Sequence, residues 1–258
     1  MQQAARGART GSVRAPRASA DGQRRPDVLL VHGIRTSSTM WRHQLEVLRA
    51  LGFRAEALDL PGHGARRGET FTLDAARESI ESARSGMAED AVVVGLSLGG
   101  YLALDWAART THPATRLVVS SCTALPGGWG HRAYLGLSDV IGRLPADGAT
   151  RLSDAAARGL VGRRAAEDVA AGGVAVEAQL ATLRALLAVR PLDDLARIDV
   201  PVTFLLGGWD HFRTEQSAFE RAARRGDVVV VPRATHLVSL HRPLAYDRAL
   251  LGILDRDR

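Results

Sequence analysis

The chain has 258 residues, 46% of them hydrophobic and 24% charged, which is enough for one domain with a substantial core and an insertion. No apolar run approaches the roughly 20 residues of a membrane-spanning helix, so no membrane partner is expected. The formal net charge of +6 points towards nucleic acid only until it is located: residues 1–26 hold Arg6, Arg9, Arg14, Arg17, Arg24 and Arg25 against Asp21, which accounts for +5 and leaves +1 elsewhere. Those residues are rich in Ala, Arg, Ser and Gly and lack apolar side chains to pack, so 1–26 reads as a disordered tail and no nucleic-acid partner is expected. The tail is arginine-rich and acid-poor like an organellar transit peptide, but it lacks the apolar stretch of about 7 to 15 residues of a secretory signal. The cytoplasm is the default location. Cys122 is the only cysteine, so no disulfide within the chain is possible.

From Asp27 the sequence alternates short β-branched runs with longer segments of helical period, the pattern of a mostly parallel sheet flanked by helices. DVLLVHG is a strand, and MWRHQLEVLRALG a helix with Trp41, Leu45, Leu48 and Leu51 on one face and Gly52 as its stop. FRAEALDL is the second strand and runs into the turn PGHG. A helix follows from about Thr72 to Ser85, capped by Thr72 or Asp74. AVVVG, LGGYLALDWAART and RLVVSS are a strand, a helix and a fourth strand. Between residues 122 and 198 the alternation stops, and an Ala-, Leu- and Arg-rich stretch with three or four helices, clearest in VAVEAQLATLRALLAV, forms an insertion. The alternation resumes with VPVTFLLGG, the helix TEQSAFERAARRG, the strand DVVVV and a helix from about Pro243 to Leu254. The expected units are therefore a tail (1–26), an α/β core (27–121 and 199–258) and a helical lid or cap (122–198).

Gly95-Leu96-Ser97-Leu98-Gly99 matches the G-x-S-x-G nucleophile elbow and has the strand before it and the helix after it that the motif requires. A serine hydroxyl needs a base, and the base needs a carboxylate to orient it. In open α/β sheets such groups lie beyond the carboxyl ends of strands. Asp210 follows VTFLLGG, and His236 follows DVVVV in Pro232-Arg233-Ala234-Thr235-His236, so Ser97, Asp210 and His236 are the candidate catalytic set.

With these motifs the chain resembles the α/β-hydrolase fold superfamily from Asp27 to about Leu254, the insertion falling where that family carries its lid. Asp59-Leu60-Pro61-Gly62-His63-Gly64 is similar to the family's D-x-x-G-x-G turn. The resemblance implies an oxyanion loop opened by His32-Gly33, with the backbone N–H groups of Ile34 and Leu98 as donors. The family's G-H-x-x-x-x-E-x-P pattern is met only in part: Thr235 and His241 stand in place of Gly and Glu, and Pro243 is retained. His241 is thereby a rival base. Relatives that carry the acid after the strand preceding the lid have no counterpart in Val118 to Thr123, which holds no carboxylate.

The expected activity is hydrolysis of a carboxylic ester, thioester or lactone of small-molecule size through an acyl-enzyme. Carbon–carbon bond hydrolysis, perhydrolysis or acyl transfer on the same triad is the alternative, as is a ligand-binding protein with a vestigial triad. Arg35, Met40, Trp41, Trp129, Tyr134, Trp209, Phe212 and Leu237 are the candidate pocket residues. His32 and His63 read as structural, His43 and His112 as exposed, and His211 as pointing away from the site. No metal-ligand spacing or phosphate loop is present, so no metal or cofactor is expected.

Overall fold

The structure is a computed structural model and describes residues 24–128, 130–132, 135–136, 159 and 161–256. Six strands, β1 (Val28–Val31), β2 (Ala55–Leu58), β3 (Val92–Leu96), β4 (Arg116–Ser120), β5 (Val202–Gly207) and β6 (Gly226–Val231), form one sheet in the order β2-β1-β3-β4-β5-β6. Every adjacent pair is parallel. The chain steps outward from β1 to β2 and then returns past β1 to β3, so the direction of winding reverses between β1 and β3. That crevice, beyond the strands' carboxyl ends, is where ligands bind in open α/β sheets.

The strand sequences explain the layers. β1, β3, β4 and β5 are buried throughout, as parallel strands covered on both faces must be. Side chains alternate between faces: Leu29 and Val31 join one cluster with Ile80, Leu102 and Phe219, while Val28 and Leu30 join the other with Trp41, Leu48, Tyr246 and Leu250. Helices α1 (Arg42–Ala50), α2 (Leu73–Ser85) and α3 (Leu98–Ala107) follow the first three strands. Thr72 caps α2 by accepting from the Ala75 N–H at 3.1 Å, and a short 3-10 turn, Ser38–Trp41, precedes α1 where the sequence suggested continuous helix. The insertion between β4 and β5 contributes α4 (Arg163–Ala171), α5 (Val176–Leu186) and α6 (Pro191–Leu195), yet it leaves Leu117 to Ser120 paired in register with Val202 to Leu205. Helices α7 (Gln216–Ala222), α8 (Val238–His241) and α9 (Pro243–Leu254) complete the chain.

Two residues assigned to the tail are engaged with the core. Arg24 pairs with Asp90 at 2.7 Å, and the Arg25 guanidinium lies 4.6 Å from the centre of the Phe53 ring. Among the described residues no single helix is long and apolar enough to cross a membrane.

Candidate active site

Ser97 occupies the one-residue link between β3 and α3, with φ 52° and ψ −111°. Such a conformation is strained for a residue with a side chain and persists only where the surroundings enforce it. Here they do: a Cβ on Gly95 would overlap the Gly99 carbonyl, and a Cβ on Gly99 would overlap the carbonyl of Val31 at the end of β1. The two glycines of the motif let the start of α3 fold back against the sheet. The Ser97 N–H donates to Ser120 O at 2.8 Å, fixing the elbow to β4.

Asp210 and His236 emerge from the loops after β5 and β6 and meet Ser97 over the sheet edge. His236 Nε2 lies 3.0 Å from Ser97 Oγ, and His236 Nδ1 lies 3.0 Å from Asp210 Oδ1. A carboxylate can only accept, so Nδ1 carries the proton and Nε2 is left as the acceptor for the serine hydroxyl. Asp210 Oδ1 also accepts from the Phe212 N–H at 2.9 Å. Burial by itself would raise the Asp210 pKa, but the hydrogen bond and charge of His236, with the Phe212 N–H, outweigh it and hold the carboxyl below its ordinary value. The Phe212 ring covers His236 with centroids 4.7 Å apart, and His211, whose ring centre is 5.8 Å from that of His236, lines the cavity rather than pointing away. His241 is occupied elsewhere, its Nδ1 accepting from the Thr235 N–H at 3.1 Å.

The loop after β1 runs alongside the elbow. Leu98 opens α3, and the first amides of a helix have no intrahelical acceptor, so its N–H is available beside Ser97. Across from it, Gly33 to Thr36 form a tight turn with Arg35 at φ 65°. His32 braces this turn from beneath: Nδ1 donates to Gly33 O at 2.8 Å and Nε2 accepts from the Leu60 N–H at 3.0 Å. Burial, aided by nearby His63, depresses the His32 pKa to about 3, so the ring stays neutral.

The unfolded chain, with His32 near its ordinary 6.5, binds a proton that the native state refuses between pH 6.5 and 3. Stability is therefore lost as pH falls through that window, by about 2–3 kcal/mol from His32 alone between pH 6.5 and 4.5. Urea unfolding across this range should show that slope, and His32→Gln should flatten it. Equal slopes in the two proteins would refute the assignment.

A cavity of about 400 Å³ opens in front of Ser97. Arg35, Phe212 and Leu237 of the expected pocket residues lie on its wall, as do the proposed donors' residues Ile34 and Leu98. Three other expectations are corrected. Met40 and Trp41, on the 3-10 turn Ser38–Trp41, are buried in the core with Leu48 and Tyr246, and Trp209 is 61% exposed and does not line the cavity. Trp129 and Tyr134 lie outside the described residues. His43 is likewise not free at the surface, since its Nε2 meets Asp247 Oδ2 at 2.7 Å. Most of the remaining wall is apolar and comes from the insertion: Val161, Val169, Val174, Leu183 and Leu186, with His131. The i, i+3 spacing of Leu183 and Leu186 was a usable signal, whereas nothing local marks Val161 or Val169. A second, more open groove of about 530 Å³ lies over α2 and α3 between Arg77, Glu81, Trp106 and Arg109, where Arg77 pairs with Asp105, Arg109 with Asp194, and Glu81 accepts from the Trp106 indole.

Residues 28–249 match the sequence profile of the alpha/beta hydrolase family. The chain belongs to that family. Similar to this alpha/beta hydrolase are the pimeloyl-[acyl-carrier protein] methyl ester esterase of Aromatoleum aromaticum, 39% identical over 95 residues, and that of Nitrosospira multiformis, 33% identical over 103. The first match covers 37% of this chain and 36% of that protein, the second 38% and 39%. The chain thus matches little more than a third of these relatives' length. Among solved structures, a hydrolase from Pseudomonas aeruginosa PA01 superposes with TM-score 0.74 at 21% identity, covering 90% of each chain. A thermophilic esterase from Thermogutta terrifontis does so with TM-score 0.71 at 24% identity, covering 89% of each chain. At these identities the likeness is one of fold.

Proposed function

We propose that this alpha/beta hydrolase is a serine hydrolase of carboxylic esters, with Ser97 as nucleophile, His236 as general base and acid, and Asp210 as the group that fixes the imidazole. The continuous path from Asp210 Oδ1 through His236 to Ser97 Oγ, with both links at 3.0 Å, carries this reading. Ser97 Oγ attacks the ester carbonyl while His236 Nε2 takes its proton. The N–H groups of Ile34 and Leu98 receive the oxyanion, each donor being worth a factor of about 10² to 10³. Collapse expels the alcohol, which leaves with the proton from His236, and water releases the acid by the same steps in reverse order.

The apolar wall suits an ester whose acyl or alcohol part is hydrophobic, and the described residues of the insertion act as a cap that supplies much of that wall. The matches to pimeloyl-[acyl-carrier protein] methyl ester esterases support ester hydrolysis over the other reactions open to the same three residues. A fluorophosphonate probe should label the protein once, at Ser97, and p-nitrophenyl esters of increasing chain length should compete for that labelling. Absence of label at Ser97 would overturn the proposal.

A further inference from the structure

The turn that carries the Ile34 N–H contains a side-chain-bearing residue in the left-handed region, Arg35 at φ 65°, so something outside the turn must hold it in shape. Its inner side is held by His32 and by Thr36, whose Oγ1 donates to Gly33 O at 2.8 Å. On its outer side the Arg35 carbonyl accepts from the Ala175 N–H at 3.1 Å, so the insertion itself clasps the turn. The approach is close: a Cβ on Gly172 would overlap Ser37 Oγ.

Arg67 binds the chain on both sides of Ala175. Its Nη2 donates to Val174 O at 3.0 Å and to Glu177 Oε2 at 2.9 Å, its Nε meets the other Glu177 oxygen, and a Cβ on Gly173 would overlap its Nη1. Arg67 is anchored in turn by the loop after β2, where Asp59 accepts from the Ser38 N–H at 2.6 Å and the Ala65 N–H at 2.8 Å. One guanidinium therefore ties both sides of Ala175 to the core, and Ala175 ties down the carbonyl next to the oxyanion donor.

We propose that Arg67 is a positioning residue for the oxyanion turn, acting through Val174, Glu177 and Ala175 on Arg35 and Ile34. It rests on the serine-hydrolase reading of Ser97. Displacing a donor by a fraction of an ångström weakens the transition state more than substrate binding. Arg67→Ala should therefore lower kcat on a p-nitrophenyl ester by about 10- to 100-fold while KM moves by less than about threefold. The affinity for a trifluoromethyl ketone, whose adduct with Ser97 places an oxyanion in the same position, should fall in step with kcat. Arg67→Lys keeps the charge but cannot span Val174 O and both Glu177 oxygens, so it should lie between Arg67→Ala and the parent. Should Arg67→Ala fail to fold, Glu177→Gln and Arg67→Lys serve instead, each expected to show a smaller loss confined to kcat. A parental kcat, or a raised KM at parental kcat, in a variant that still hydrolyses ester in a Ser97-dependent manner would overturn the proposal alone. Loss of Ser97 dependence in the parent protein would instead remove the reading beneath it.

Discussion

Replacing Ser97 with alanine is expected to lower kcat on p-nitrophenyl esters by about 10⁶, by analogy with other triad serines. The size follows from what is lost. Without Oγ there is no atom to form the acyl-enzyme, and His236 Nε2 is left with no hydroxyl at its 3.0 Å contact. On the proposed mechanism, the residual rate would belong to water attacking ester held by the Ile34 and Leu98 amides. Alanine must still occupy φ 52°, so the strain of the elbow remains and thermal stability should change little. Turnover measured beside the melting temperature separates lost chemistry from lost fold. Hydrolysis at the parental rate would remove Ser97 from the mechanism.

Asp210→Asn should lower kcat by about 10⁴ with a small change in KM. The carboxylate can only accept, and this is what forces the imidazole proton onto Nδ1. An asparagine that turns its NH₂ towards Nδ1 reverses the demand: Nδ1 becomes the acceptor, the proton moves to Nε2, and Nε2 can no longer take the proton of Ser97. Because Oδ1 accepts from both Nδ1 and the Phe212 N–H at 2.9 Å, that orientation also sets the amide NH₂ against the Phe212 N–H, while the opposite one keeps an acceptor on Nδ1 but loses the charge that stabilises the imidazolium, so either orientation lowers kcat. A loss smaller than about tenfold would mean that the imidazole is oriented by something other than Asp210.

The core of the fold and the meeting of Ser97, Asp210 and His236 are legible in the sequence for the same reason: local chemistry fixes where these residues stand. Thr72 before an amphipathic run, Pro243 at a helix start, and glycines on both sides of Ser97 each report a backbone requirement that few residues satisfy. Asp210 and His236 follow strands, and in a parallel sheet the ends of strands converge on one edge whatever separates them in sequence. The cavity wall was legible only in part: Arg35, Phe212 and Leu237 lie on it, whereas Met40, Trp41 and Trp209 do not. Trp209 adjoins Asp210 yet faces solvent, since the direction of a side chain on a loop depends on contacts made far away. The same holds for His43, whose partner Asp247 lies 204 residues onward. Nor could the sequence reveal that Arg67 and Glu177, 110 residues apart, would meet beside the oxyanion turn.

The wall in front of Ser97 is assembled from two sources, strand-end loops that present the reacting groups and a helical segment that presents Val161, Val169, Leu183 and Leu186. On the proposed function, the choice of ester and its cleavage thereby rest on separate segments of the chain. Recombining the second source with that of a relative would redraw which molecules enter, while a probe small enough to ignore the walls would go on reacting at the elbow.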